Sequence, residues 1–403
     1  MPIFRFTTAG ESHGPALLSI VEGLPAGVPV DPGFIDHELR RRQGGYGRGG
    51  RMRIESDAAE LLSGVRHGET LGSPVAMRIA NRDWENWREA MAADASGRDA
   101  EQTLSRRVRM PRPGHADLVG ILKYDRHDAR DILERASARE TAARVAAGAL
   151  AKSLLSGIGV TVGSHVVALG DVQARKPDVL PDDLNAASDA SPVRCLDSDA
   201  EGRMIDAIDA AKRDGDTLGG IFEVVVRGLP VGLGSHVSWD RKLDGRLAGA
   251  VMSIQALKGV EIGDGFAGSQ RRGSRVHDEI AFGRTDDATG GFDRGSNRAG
   301  GLEGGITTGM PLVVRGAMKP ISTLMQPLGT IDLDRGEPAE AVRERSDVCA
   351  LPAAGVVGEA MVAMVLADAV LEKFGGDALG DLKASLAVYR ERLADHRRSV
   401  RAG

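Results

Sequence analysis

Two histidines, clustered arginines and one lysine-led turn are the side chains of this 403-residue chain with the makings of chemistry. His13 lies in the elbow Gly10-Glu11-Ser12-His13-Gly14, and His115 in the turn Met110-Pro111-Arg112-Pro113-Gly114-His115-Ala116-Asp117. Both occupy glycine-flanked turns rather than apolar faces. An imidazole titrates near neutrality, so a turn-borne histidine beside arginines suits proton transfer to or from a bound anion. Lys319-Pro320-Ile321-Ser322-Thr323 joins a cation to a stiffened turn and two hydroxyls. Arg345-Ser346-Asp347 sets a cation and a carboxylate just before an apolar helix.

A third feature is Arg135-Ala136-Ser137-Ala138-Arg139-Glu140-Thr141. Ser137 and Glu140 have capping-box spacing, which predicts a helix starting there. The residues that follow, to Leu155, are mostly Ala, Val and Leu, and a helix apolar all round is normally buried. A buried helix start directs N–H groups and partial positive charge at one point, which suits an anion. Arg135 and Arg139 flank that point, and guanidinium grips phosphate or carboxylate with two hydrogen bonds. An ordinary capped core helix with two solvated arginines fits the same residues.

Composition narrows the classes. Hydrophobic residues make up 42%, which is globular, while Gly is 53 of 403 and aromatics only 3%. So much glycine without a repeat implies many tight turns and close backbone approaches. Net charge is −5, which argues against nucleic acid as a partner. Arginine is nevertheless clustered, at Arg40, Arg41, Arg42, Arg48, Arg51 and Arg53, at Arg106, Arg107, Arg109 and Arg112, and at Arg271, Arg272 and Arg275. Basic patches on an acidic chain point to small anionic ligands. No P-loop, G-x-S-x-G or H-E-x-x-H motif occurs, and Cys195 and Cys349 have no metal spacing, so no metal is expected. Two unpaired cysteines and no signal-peptide pattern predict a cytoplasmic protein. The apolar run 353–374 is broken by Glu359, Asp368 and Glu372, so it reads as a buried helix and not a membrane span.

The elements that must position these groups can be read in order. Strands are predicted over 3–8 and 16–24, around the His13 elbow. Asp31-Pro32 opens a helix to about Arg42, which Gly44-Gly45 ends, so Arg40 to Arg42 complement its dipole. Short strands follow near 52–55, 59–65 and 74–79, then a polar surface excursion over 81–107. Beyond the Ser137 helix come a strand at 160–169, a polar loop at 177–189 and a helix at 199–213. A strand at 220–229 and a helix at 244–257 follow. Residues 263–309 read as one long glycine-rich loop, 311–315 as a strand, and 376–403 as a polar, basic tail.

Set in order, these blocks form a pattern. The elbow around His13, the Gly45-Tyr46-Gly47-Arg48-Gly49 loop, Arg112-Pro113-Gly114-His115-Ala116-Asp117, the Arg135 to Thr141 block, Asn297-Arg298-Ala299-Gly300-Gly301, the Lys319 to Thr323 block and Arg345-Ser346-Asp347 resemble chorismate synthases in order and approximate spacing. The resemblance runs over about residues 3–375. It implies an α+β fold: one large domain over 1–403, a β-α-β sandwich with buried helices between antiparallel sheets, assembled as a homotetramer. It also implies a lyase that makes chorismate by 1,4-anti elimination of phosphate from 5-enolpyruvylshikimate 3-phosphate. That step is the last one common to aromatic amino acid biosynthesis through shikimate. Reduced FMN is required without net redox change, and NADPH is a candidate reductant. By the same resemblance FMN contacts Arg135, Ala136, Ser137, Gln255, Ala256, Gly304, Lys319, Pro320, Ile321, Ser322, Thr323 and Arg345. Arg42 and Arg48 match arginines of the substrate or NADP pocket, and Arg112 and Arg139 are further candidates for substrate anions. His13 is the acid towards the departing phosphate and His115 protonates reduced flavin near N1. Asp347, directly or through Ser12, takes the proton near flavin N5. The 263–309 loop fits a flap over the flavin.

The charge inventory agrees with this. Such a substrate carries about four negative charges and reduced FMN about three. Two like charges 4 Å apart repel by about 4 kcal/mol at an effective dielectric near 20. A dense ring of fixed cations answers that repulsion. A sugar-phosphate kinase or isomerase is the enzyme rival and a nucleic-acid-binding protein the non-enzyme one; neither requires reduced flavin.

Overall fold

The computed structural model describes residues 3–49, 56–97, 101–282, 289–344 and 346–402. Arg51, Arg53, Arg345 and the strand expected near 52–55 lie outside them.

Alternation writes the first sheet. In β2 (Ala16–Glu22), Leu17, Ser19 and Val21 point inward while Leu18 and Ile20 face out. It pairs with β1 (Arg5–Ala9) on one side and β4 (Val75–Ala80) on the other. β3 (Glu60–Leu61) completes the antiparallel order β1-β2-β4-β3. The second sheet contains β5 (Thr161–Leu169), β6 (Val172–Gln173), β7 (Gly220–Arg227), β8 (Leu257–Ile262) and β9 (Leu312–Met318). Its order is β8-β9-β7-β5-β6, again antiparallel throughout.

The longer helices are α1 (Pro32–Gln43), α2 (Asp117–Tyr124), α3 (Arg130–Ala136), α4 (Thr141–Ser156), α5 (Leu184–Asp189), α6 (Ser198–Arg213), α7 (Leu243–Met252), α8 (Leu351–Phe374) and α9 (Leu379–Ala402). α4 packs on β2 and on α8, α8 packs on β5 and β7, and α1 lies against both helices. The sheets therefore sandwich a helical layer, as expected for an α+β chain of this type. α8 is long and apolar enough to cross a membrane, yet 94% of its apolar window is buried inside the fold. Each fully buried Leu, Val or Met there contributes roughly 1.5–3 kcal/mol of transfer free energy. Small residues let the helices close up: a Cβ added at Gly148 of α4 would lie 2.3 Å from the Cβ of Ala360 in α8.

Charge is nevertheless placed inside this layer. Glu359 of α8 is fully buried and accepts from Arg41 at 2.8 and 2.9 Å, from Arg194 at 3.1 Å and from Lys152. Arg41 also donates to Glu38 at 2.7 Å and Asp189 at 2.6 Å. Burial alone would raise the Glu359 carboxyl, but Arg41 and Lys152 hold it well below the usual range. The two bonds from Arg41 fix the last turn of α1 against α8.

Several sequence expectations need correction. The helix after Ser137 is interrupted: α3 ends at Ala136, a 3-10 turn covers Ala138–Glu140, and α4 starts at Thr141. Ser137 does cap, accepting from Arg139 N at 3.3 Å, but Glu140 does not close the box. It is drawn away by Thr8 Oγ1 at 2.6 Å and Arg144 Nε at 2.8 Å. The loop 177–189 contains α5, capped by Asp183. The helix begun near 244 stops at Met252 with Ser253 as its C-cap, and Ala256 beyond it adopts a left-handed φ of 67°. Residues 263–309 contain a short helix and two small hairpins. The basic tail is α9, whose Leu379, Leu382 and Leu386 join the main core.

Candidate active site

The elbow between β1 and β2 carries Ser12 and His13, and α3 holds it in place. Ser12 N donates to the Glu134 carbonyl at 3.0 Å, and His13 N to Glu134 Oε2 at 2.9 Å. His13 Nδ1 lies 2.9 Å from both carboxylate oxygens of Glu134. Arg130, one turn back on α3, donates to Glu134 Oε1 at 2.8 Å. Burial would raise the Glu134 carboxyl, but its bonds from His13 and Arg130 lower it below the ordinary value. Asn81 closes the elbow from the other side, donating to Gly14 O at 2.6 Å and Glu11 O at 3.2 Å.

His115 is held by the same construction. Asp117, the first residue of α2, is fully buried and lies 2.5 Å from His115 Nδ1. Arg112 donates to it through Nε at 2.8 Å and Nη2 at 3.1 Å. These bonds overcome burial and hold the Asp117 carboxyl far below its usual range. Arg112 Nη2 also approaches His115 Nδ1 at 3.1 Å, but a nitrogen donating to the closer carboxylate has no lone pair for it. Nδ1 of each imidazole is therefore the protonated nitrogen, and Nε2 lies on the opposite edge of the ring.

The Lys319 segment joins this turn. Arg112 Nη1 donates to Thr323 Oγ1 at 3.0 Å, and Lys319 Nζ to Gly114 O at 2.5 Å. Ile321 O accepts from Thr217 at 2.7 Å, which anchors the Pro320-Ile321-Ser322 turn. Gly114 has φ of 78°, and a Cβ there would sit 3.2 Å from Lys319 Nζ. Lys319 N donates to Ala256 O at 3.0 Å, and neighbouring Gln255 donates to Glu140 at 3.2 Å. Burial and the charge of Lys258 lower the Lys319 ammonium. Arg135 donates to Thr8 O at 2.9 Å and Gly10 O at 3.2 Å, with Glu140 at 3.7 Å. Ala136 and Ser137 follow it on the chain, so Arg135, Glu140, Gln255, Ala256 and Lys319 form one continuous set. Gly304 is apart: it turns the hairpin beside His236, and no described contact ties it to that set.

A buried arginine patch adjoins it. Arg42 donates to Thr141 Oγ1 and Ala138 O, both at 2.8 Å, and lies 3.5 Å from Asp57. Burial depresses its guanidinium to about 9, with Asp57 opposing and Arg139 and Arg48 adding to the fall. Arg48 pairs with Asp347 at 3.0 Å, and Gly49 N donates to the same carboxylate at 2.6 Å. Arg139 pairs with Asp57 and donates to Asn81 Oδ1 at 2.9 Å. Arg42, Arg48 and Arg139 thus gather around Asp57 and Asp347 among the described residues. Gln255 Oε1 is buried without a hydrogen-bond partner among the described residues, which is where a bound polar group fits. Arg112 and Arg139, read from the sequence as meeting substrate directly, are both occupied by protein partners.

Sequence reading missed Glu134, Trp87, Asn81 and Asp57. The i,i+4 pair Arg130/Glu134 was a local clue to α3; Asn81 and Asp57 gave none, because only the fold brings them in. Two cavities of about 540 and 220 Å³ lie elsewhere, on the outer face of the second sheet around Glu223 and Arg315.

Fold and site together define an α+β enzyme whose two anchored imidazoles stand beside buried arginines. Residues 4–371 match the family model described as chorismate synthase. The chain is 59% identical over 392 residues to the chorismate synthase of Symbiobacterium thermophilum, covering 97% of this chain and 99% of that one. It is 58% identical over 395 residues to that of Desulforudis audaxviator, covering 98% and 99%. A solved structure described as a chorismate synthase crystal structure superposes with a TM-score of 0.77 at 43% identity, over 97% and 98% of the two chains. The chain belongs to the chorismate synthase family, which makes it a carbon–oxygen lyase acting on a phosphate.

Proposed function

We propose that this enzyme eliminates phosphate from 5-enolpyruvylshikimate 3-phosphate to give chorismate, at a site that binds reduced FMN. The observation that carries the reading is the pair of Nδ1-anchored imidazoles beside the buried arginines Arg42, Arg48 and Arg139. The overall change is redox-neutral: the C6–H pair becomes the C1=C6 bond, the C1=C2 pair moves to C2=C3, and the C3–O pair leaves with phosphate.

Arg42 and Arg48 take the anionic groups of the substrate or of NADP, and Arg112 and Arg139 are further contacts for the substrate's anions. Arg135, Ala136, Ser137, Gln255, Ala256 and the Lys319 to Thr323 turn hold FMN; Gly304 and Arg345 complete that set by family resemblance alone. The unpartnered Gln255 Oε1 and the Lys319/Lys258 pair suit a polar, phosphate-bearing group. Reduced flavin supplies transient electron density to the allylic system. His13 gives its Nε2 proton to the departing phosphate oxygen, since phosphate leaves more readily once protonated. His115 would be the residue to protonate a bound reduced flavin, and Asp347, directly or through Ser12, the one to accept a proton beside it.

The molecule acts as a homotetramer in the cytoplasm, with residues 1–403 as one domain. Support for the last point is a core that runs without break from Phe4 to Leu386.

The test is anaerobic. Purified protein, the substrate and dithionite-reduced FMN should release phosphate and form chorismate, with no turnover when flavin is omitted. Absence of product with reduced FMN overturns the reading. Oxidised FMN with NADPH alone decides whether the protein reduces its own flavin, and sedimentation velocity decides the tetramer.

A further inference from the structure

The surface excursion at 81–107 does something specific: it brings Trp87 over His13. The imidazole and indole are stacked, with ring centroids 3.8 Å apart and planes 24° from parallel. Trp87 is fixed in turn by its Nε1–H, which donates to Asp83 at 2.9 Å. The guanidinium of Arg106 lies 3.9 Å from the centre of the same indole. His13 is thus constrained in two independent ways. Glu134 fixes the direction of the Nδ1–Nε2 axis, and Trp87 fixes the plane of the ring.

We propose that Glu134 and Trp87 are positioning residues for His13, holding its Nδ1–H tautomer and ring plane so that Nε2 is presented to the substrate's phosphate. This rests on the reading of His13 as the acid for the leaving group. The chemistry explains why two constraints are needed. A carboxylate can only accept, so a neutral His13 beside Glu134 keeps its proton on Nδ1. When His13 is protonated, the second proton is on Nε2, and that is the one transferred. The C–O pair leaves with phosphate, the phosphate oxygen takes the Nε2 proton, and the imidazole returns to the tautomer Glu134 already holds. No internal proton shift is required between turnovers. The indole face adds attraction for the cationic ring, because aromatic quadrupoles favour a cation over their faces. Glu134 keeps its charge through this cycle, since Arg130 pairs with it at 2.8 Å.

Three variants and one spectrum test the proposal on the intact protein. Glu134→Gln should lower kcat by up to about 10⁴-fold, the scale lost when a catalytic imidazole takes the wrong tautomer. FMN affinity and substrate KM should stay within about twofold, because neither residue belongs to those pockets. Trp87→Leu should lower kcat in the same way, and Trp87→Phe, which keeps a stacking face, should recover most of it. In ring-¹⁵N-histidine protein, with the His13 signal identified by its loss in His13→Gln, neutral His13 should show protonated Nδ1. A wild-type spectrum with protonated Nε2 overturns the proposal, whether or not the variants fold. Wild-type kcat in Glu134→Gln and Trp87→Leu, with His13→Gln inactive, also overturns it and leaves His13 as the acid. Full turnover in His13→Gln instead removes the reading beneath it.

Discussion

Arg41 and Arg42 are consecutive on the last turn of α1, yet they are buried in different places. Arg41 is locked into the ionic cluster around Glu359, while Arg42 reaches Thr141 and Ala138 at the start of the α3–α4 junction. One arginine fastens the helix and the next is delivered by it to the site. The prediction is a separation of effects. Arg41→Ala leaves Glu38, Glu359 and Asp189 short of a partner and should cost about 3–5 kcal/mol in urea unfolding. Arg42→Lys keeps a cation but loses the planar fork, and should raise substrate KM about tenfold with a much smaller loss of stability. Equal stability losses with unchanged KM would show that Arg42 is only another internal brace.

The outer face of the second sheet carries a second ladder. His165, Glu223, Arg315 and Glu261 stand side by side on β5, β7, β9 and β8. Burial would raise Glu223, but hydrogen bonds from His165 and Arg315 lower it to about 2. The folded value is below the unfolded one of roughly 4.3. Its stabilisation is therefore complete above about pH 4.3 and is lost as pH falls towards 2. Glu223→Gln should be less stable by on the order of 3 kcal/mol at pH 7, the equivalent of that shift. The gap between variant and wild type should close with acid in denaturant titrations; a gap that is constant with pH contradicts this account.

These two arginines and this ladder show where sequence reading reached its limit. The buried helices and first-sheet strands were legible because periodicity is local: β2 alternates, and α4 and α8 are apolar all round; the sandwich itself came from the family resemblance. The candidate histidines in glycine turns stood out too, by their type and flanks. What Arg41 and Arg42 touch was not, because both satisfy the helix-dipole rule and only tertiary packing separates them. Glu134 was hidden for a related reason. Ser137 and Glu140 imitate one helix start, so α3, which ends just before Ser137, was absorbed into its lead-in.

Asp117 should matter more than its distance from solvent suggests. Among the described residues it is the one carboxylate within reach of His115 Nδ1–H, and it accepts from Arg112 Nε and Nη2. Asp117→Asn presents an amide that can donate to Nδ1 and so reverse the tautomer. Turnover should fall by about 10²-fold, the usual scale of general acid–base catalysis. The ¹⁵N spectrum of His115 should move to protonated Nε2. Loss of turnover without that change would assign the defect to Arg112 and the Lys319 turn instead.

The closest approach of α4 to α8 sets the geometry of everything at the amino end of α4. At Gly148 an added Cβ would lie 2.3 Å from Ala360 Cβ and 2.6 Å from Ala360 Cα. The second of these is backbone, so no rotamer change relieves it; the helices must part. Helix propensity pulls the other way, since Ala is better than Gly by about 1 kcal/mol. Overpacking costs typically 1–3 kcal/mol, and a clash with backbone belongs at the upper end. Gly148→Ala should therefore be net destabilising, and thermal unfolding should show a lower Tm. Ala360→Gly in the same chain removes the Cβ clash but not the Cα one, so rescue should be partial. A parting of α4 from α8 also shifts the Ser137 to Thr141 junction, so flavin affinity should weaken along with Tm. A Gly148→Ala protein with raised Tm and unchanged flavin binding would mean the helix layer has slack, and that the site does not depend on this contact.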